Sequence, residues 1–205
     1  MKIFCIGLNK TGTTTLGQCL HILGFRHQAF DLSLLEQAAI AQYDQLNNKI
    51  NLFDSFSDWP YPLLYKYLDR SYPGSRFILT RRSTPEQWLK SLFAHSLRTD
   101  PFIGTRARSL AYGYPYPHLN PHKHITMYQQ HLLYVKEYFA DRPADLLELC
   151  WEQGSKMNDL CQFLGLQYGN HELPHSNKGS QGNSIHINAN LRLLKWYKAK
   201  LLCNQ

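Results

Sequence analysis

Lys10, Gly12, Thr13 and Thr14 follow one another within five positions, with Gly7 five residues ahead of Gly12, and together they make up most of a device for holding an anion. Glycines let backbone N–H groups crowd a phosphate, and a helix starting just beyond them adds the positive end of its dipole. A nucleotide triphosphatase places its lysine directly after the second glycine, between the β- and γ-phosphates. Here Thr13 occupies that place and the lysine is Lys10, two residues before Gly12. An anion is still cradled, with the cation approaching from another side. Taken alone, the string also fits the phosphate loop of some other nucleotide enzyme, or a plain Gly/Thr turn.

A second group of chemical residues lies in Arg81-Arg82-Ser83-Thr84-Pro85-Glu86-Gln87-Trp88-Leu89-Lys90-Ser91. An arginine at a strand end and a serine on the next helix can converge on one anion, so Ser91 pairs with Arg82 or with Arg81. Both arginines could instead serve only surface ion pairs. Asp58 and Asp54 are the candidate carboxylates. Asp58 is either a proton acceptor or the cap of a helix starting at Pro60. His118, His122 and His124 have no Cys or carboxylate beside them, and solvated loop histidines explain them better than a metal.

The elements that must position these groups follow from periodicity. Ile3 to Ile6 is a short apolar run suited to a buried parallel strand, and Leu16, Cys19, Leu20 and Leu23 share one helix face that Gly24 terminates. The Lys10 loop thus joins a strand to a helix. Ser33 to Glu36 reads as a capping box opening a helix toward Leu46, and Ile50 to Asp54 as a strand. Leu63, Leu64, Tyr67 and Leu68 form a further stripe before the Tyr72-Pro73-Gly74-Ser75 turn. Arg76 to Thr80 is the third strand. Thr84 as N-cap, Pro85 at the first helical position and Gln87 closing the box start the helix that carries Ser91. Residues 95 to 125 show little periodicity and read as a long functional loop. A helix follows from Thr126, with Tyr128, Leu132, Val135 and Phe139 on one face. Leu146 to Trp151 is the fourth strand, Ser155 to Leu164 a helix, and a polar loop through Asn177, Lys178 and Gly179 precedes the last helix. Four strands separated by helices, with no hairpin signal, predict an α/β fold with a parallel β-sheet flanked by helices.

The 205 residues are 43% hydrophobic and 18% charged, which predicts one globular domain rather than a disordered chain. Five scattered cysteines without a Cys-x-x-Cys indicate neither a disulfide framework nor a zinc site. No apolar run reaches membrane-span length and the first strand begins at Ile3, so the expectation is a cytoplasmic protein with no stable membrane insertion. The net charge of +7 is concentrated on Arg192, Lys195, Lys198 and Lys200, with no acid after Glu172. That pattern reads as a solvated helix face better than as a nucleic-acid surface.

The string Lys10-Thr11-Gly12-Thr13-Thr14 resembles the 5′-phosphosulfate loop of P-loop sulfotransferases, and the Arg82/Ser91 spacing resembles their 3′-phosphate site. The likeness continues through Ser57-Asp58-Trp59-Pro60, Leu146 to Trp151 and Asn177-Lys178-Gly179. It implies a three-layer architecture like that of P-loop NTPases over residues 1–205, with residues 95–125 as an acceptor lid. It also implies sulfuryl transfer from 3′-phosphoadenosine 5′-phosphosulfate (PAPS) to a hydroxyl or amine of a small-molecule or carbohydrate acceptor, without a metal. By the same resemblance, Lys10 and Asp58 are catalytic. The co-substrate is bound by Lys10, Thr11, Gly12, Thr13, Thr14, Arg82, Ser91, Trp151, Asn177 and Lys178, with Trp151 stacked on adenine. Asp58 stands where the cytosolic members carry a histidine base, and Asp54 is its reserve. A kinase using ATP and Mg²⁺, with Asp54 holding the metal, and a non-catalytic nucleotide-binding module are the alternatives.

Overall fold

A computed structural model describes residues 1–167, 174 and 183–203, so the Asn177 and Lys178 loop lies outside the described residues. The elements run β1 (Ile3–Cys5), α1 (Thr13–Ile22), β2 (His27–Gln28), α2 (Leu32–Ala39), α3 (Asp44–Leu52), β3 (Ser55–Phe56), α4 (Tyr65–Ser71) and β4 (Arg76–Thr80). They continue as α5 (Pro85–Arg98), α6 (Pro101–Tyr112), α7 (Pro121–Tyr138), β5 (Leu146–Leu149), α8 (Met157–Leu164) and α9 (Ser184–Cys203). The strands form one parallel sheet in the order β2-β3-β1-β4-β5.

Alternation along the strands divides the core into layers. Ile3, Cys5 and Ile78 point to the face covered by Leu16, Cys19 and Leu20 of α1 and Leu160 of α8. Phe4, Phe56, Phe77 and Leu79 point the other way, against Ile50 of α3, Leu68 of α4, Val135 of α7 and Phe139 just past its end. The result is the expected helix-sheet-helix sandwich. A third apolar cluster, including Leu8, Leu35, Trp59, Trp88, Leu92, Tyr112 and Tyr128, lies beyond the carboxyl ends of the strands, where α2, α5, α6 and α7 meet.

Several expected boundaries moved. The sheet has five described strands, the extra one being the polar two-residue edge strand β2, too short and too hydrophilic to leave a periodic signal. Ile50 belongs to α3, not to a strand: Leu46 and Ile50, four residues apart, are its buried stripe, and the strand begins only at Ser55. The cap of α2 is Asp31, whose side chain accepts from Leu34 N–H at 3.2 Å, rather than Ser33. That helix ends at Ala39, and α3 is separate. Residues 95–125 are largely helical. Asp100-Pro101 and Asn120-Pro121 each supply a capping side chain followed by a proline at the first helical position, a local start signal that the surrounding lack of periodicity obscures. His124 is consequently buried on α7 and His118 stacks on Phe93 with ring centroids 4.2 Å apart, so these two are not solvated loop histidines.

Candidate functional site

A parallel sheet delivers the carboxyl ends of all its strands to one edge, and the strand order turns back on itself at β1, where a crevice opens. The Lys10 loop follows β1, Asp58 follows β3, Arg82 follows β4 and Trp151 follows β5, so four distant segments arrive together. Lys10, Gly12, Thr13, Thr14, Asp58, Arg82, Ser91 and Trp151 all line one cavity of about 680 Å³. Asn9 of the loop, with His95, Arg98 and Thr99, completes its wall.

The loop itself is tied down at several points. Gly7 lies so close to Thr80 that a Cβ would collide with its backbone and hydroxyl. Gly12, at φ 96°, lies against the Trp151 ring, whose indole nitrogen donates to Gly12 O at 3.3 Å. Asn9 is held from two sides: Trp88 Nε1 donates to its carbonyl at 2.9 Å, and Tyr112 Oη to its side-chain oxygen at 2.5 Å. Thr11 differs from its neighbours. It is buried, with its hydroxyl donating to Leu8 O at 2.6 Å and sharing a 2.6 Å hydrogen bond with Thr80, so its side chain braces the loop and is not a cavity group.

Lys10 has φ 68° and Asp58 φ 65°, two of the three non-glycine residues with left-handed backbone among those described. Such conformations cost about 1–3 kcal/mol each and persist where the surroundings impose them, commonly at functional sites. Burial lowers the Lys10 pKa, as do Arg82 and Arg98, and Asp58 opposes them. Burial pushes the Asp58 carboxyl up to about 6, against the N–H of Trp59 and the charge of Lys10, which hold it down. Among the described residues, Asp58 Oδ1 accepts only from Trp59 N–H, at 2.8 Å, while the short 3₁₀ turn Tyr61–Leu63 carries no side-chain cap. Asp58 therefore does not cap a helix.

The other open choices separate by position. Asp54 precedes β3, at the opposite edge of the sheet, and is held by Arg26 through contacts of 2.9 and 3.0 Å that pull its pKa to about 2. It serves neither as the reserve base nor as a metal-holding acid beside the Lys10 loop. Arg81 turns toward Glu148, with which it pairs. Arg82 lines the cavity, with one guanidinium nitrogen 2.6 Å from Glu152, while its buried Nε has no hydrogen-bond partner among the described residues. A guanidinium lining the same cavity as Ser91 fits an anionic group.

The sequence places His95, Arg98 and Thr99 in the 95–125 loop rather than on the nucleotide cavity. They follow Ser91 at intervals of four, seven and eight along α5, the spacing of a single helix face, so the signal was the continuation of that face past Ser91. Burial, with Lys10, Arg108 and Arg98 nearby, drops the His95 pKa to about 3, which keeps the ring neutral.

Among the described residues no group of three or more His, Cys, Asp or Glu is arranged to hold a metal ion, and no helix is long and apolar enough to cross a membrane. No curated protein matches the chain. A family model described as a sulfotransferase domain matches residues 2–182.

Proposed function

Because the chain belongs to the sulfotransferase domain family, we propose that it moves a sulfuryl group from PAPS to an acceptor hydroxyl. The observation that carries this reading is the gathering of Lys10, Arg82, Ser91 and Asp58 on one cavity from three strand ends and a helix. PAPS supplies an activated sulfuryl group on a nucleotide that bears a separate 3′-phosphate. The residues fit such a molecule: the loop from Gly12 to Thr14 suits its 5′ end, and the Arg82 guanidinium, with Ser91 on the same cavity, suits the 3′-phosphate. Trp151, lying across Gly12, offers a ring face for the adenine. Asn177 and Lys178 are assigned to the nucleotide by family resemblance alone.

Lys10 stabilises negative charge growing on the bridging oxygen, which remains with the 5′-phosphate when its bond to sulfur breaks. One well-placed group of this kind contributes about 2.7–4 kcal/mol. Asp58 accepts the proton of the acceptor hydroxyl as its oxygen bonds to sulfur. At its raised pKa Asp58 is still mostly ionised at neutral pH, yet is a stronger base than an ordinary aspartate. The cytoplasmic location read from the sequence belongs to this same proposal.

Thermal shifts with desulfated product test the reading without knowledge of the acceptor. Adenosine 3′,5′-bisphosphate at about a hundred times its dissociation constant adds ~2.7 kcal/mol of stability, roughly 5–10 °C for a chain of this length. The same concentration of 5′-AMP or Mg-ATP should give much less. Arg82→Ala should remove most of the bisphosphate shift, and Arg81→Ala should keep it. A larger shift with Mg-ATP than with the bisphosphate would overturn the proposal.

A further inference from the structure

A second, smaller cavity of about 340 Å³ adjoins the one just described and shares Thr13, Thr14 and Asp58 with it. It lies between α1 and the β2 edge of the sheet, walled by Gly17 and Gln18 on one side and His27, Ala29 and Ser57 on the other. His27 is locked in place: its ring nitrogens hydrogen-bond Ser55 Oγ and Ser57 Oγ, both at 2.9 Å. It also packs so tightly on α1 that a Cβ at Gly17 would come within 2.7 Å of Nε2. Burial lowers its pKa to about 4, so the ring is neutral. The two cavities therefore differ in charge. The larger contains Lys10, Arg82 and Arg98, whereas among the described residues the smaller has no lysine or arginine in its wall, Asp58 as its single carboxylate, and His21 and His27 as its imidazoles.

In-line displacement requires the nucleophile to approach sulfur from the side opposite the leaving oxygen, with the base on the nucleophile's side. An anionic donor belongs in the cationic cavity, and an anionic acceptor in the smaller one would meet Asp58 in a wall without lysine or arginine, Lys10 lying on the side of the larger cavity. We propose that the smaller cavity is the acceptor site and takes an uncharged alcohol or phenol of one or two rings, its hydroxyl reaching Asp58 where the cavities join. The volume falls at the lower end of small-molecule sites. The inference rests on the sulfotransfer reading, and it moves the acceptor from beneath residues 95–125 to the opposite side of the Lys10 loop.

The test uses PAPS with 2-naphthol and with its anionic analogue 6-hydroxy-2-naphthoate, and measures bisphosphate binding alongside. The unmodified protein should sulfate 2-naphthol in preference to the naphthoate. Ala29→Phe, at an exposed position, should raise the KM for 2-naphthol by about tenfold or more by filling the cavity, with the bisphosphate shift unchanged. Gln18→Lys, on the exposed side of α1, should move the preference toward the naphthoate by about tenfold, a gain that misfolding cannot imitate. Intact bisphosphate binding without sulfation of 2-naphthol, a preference for the naphthoate in the unmodified protein, or an unchanged KM in Ala29→Phe each overturns the acceptor site and leaves the sulfotransfer reading standing. Failure to bind the bisphosphate removes both.

Discussion

Asp58 carries the sharpest consequence of the site's chemistry at the scale of a single residue. Its carboxyl titrates near 6 in the folded protein against 3.8 for the ordinary group, so the native state binds the extra proton between those values. Stability therefore falls as pH rises from about 4 to 6 and stays reduced above that range. Asp58→Asn removes the charge and keeps a residue that tolerates left-handed backbone, so it should raise the melting temperature at pH 7 by roughly 3–6 °C, and the gain should vanish near pH 4. The same change should lower kcat by about 10² to 10⁴ and abolish a rise in kcat/KM centred near pH 6. An Asp58→Asn variant that stays active with the same pH profile would show that Asp58 takes no proton. Neighbours in the chain are no guide to these roles: Arg81 and Arg82 are adjacent, yet one pairs with Glu148 and the other lines the cavity.

Elements matter because no group of the candidate site is held by its own segment alone. Tyr112, the last residue of α6, donates to Asn9 and stacks edge-on against Trp59, with ring centroids 5.1 Å apart, so one side chain touches the neighbours of both Lys10 and Asp58. Tyr112→Phe keeps the ring packing and loses one hydrogen bond, worth about 0.5–1.5 kcal/mol of stability. If that bond holds Lys10 in its strained conformation, kcat should fall about tenfold with little change in the KM for PAPS. A fall in melting temperature without a change in kcat would reduce Tyr112 to packing. Helix α5 shows the same dependence in another form. Its N-terminal signal was legible from Thr84 and Pro85, but the function of its inward face comes from the strand ends it crosses.

Over the whole molecule, the cavity is braced by a helix that lies beyond the residues matched by the family model. Asn190 of α9 is buried, accepts from Tyr116 Oη at 2.6 Å, and its two amide N–H groups are shared among Leu97 O, Thr99 O and His186 O, which lie 2.8–3.0 Å from the nitrogen. Arg108, also buried, donates to Thr99 Oγ1 at 3.0 Å and to Pro115 O at 2.6 Å from beneath the same corner. Removing the amide strands several buried groups, each costing about 1–3 kcal/mol. Asn190→Ala should therefore lower the melting temperature by roughly 5–10 °C, and it should weaken bisphosphate binding because Arg98 and Thr99 lose their anchor. Unchanged binding in the folded variant would detach α9 from the site.

What the amino-acid sequence determined by itself is the local grammar: the strand-loop-helix around Lys10, the Thr84-Pro85 start of α5, the Gly165 stop, and the alternation that layers the core. These depend on backbone stereochemistry and on burial within a few residues of the chain, so they can be read in a short window. That an arginine ending β4 could share a site with Ser91 was also legible, because a strand end and the following helix are adjacent in sequence, but the choice between Arg81 and Arg82 was not. Tertiary structure alone decided that Asp58 faces the loop while Asp54 lies at the far edge, since only parallel registration of β3 beside β1 separates the two ends. It also turned Thr11 inward, set Trp151 against Gly12 across 139 residues, and brought two cavities of different charge together at one carboxylate. Such relations depend on which distant segments share a sheet edge, and hydrophobic periodicity along the chain carries no record of that.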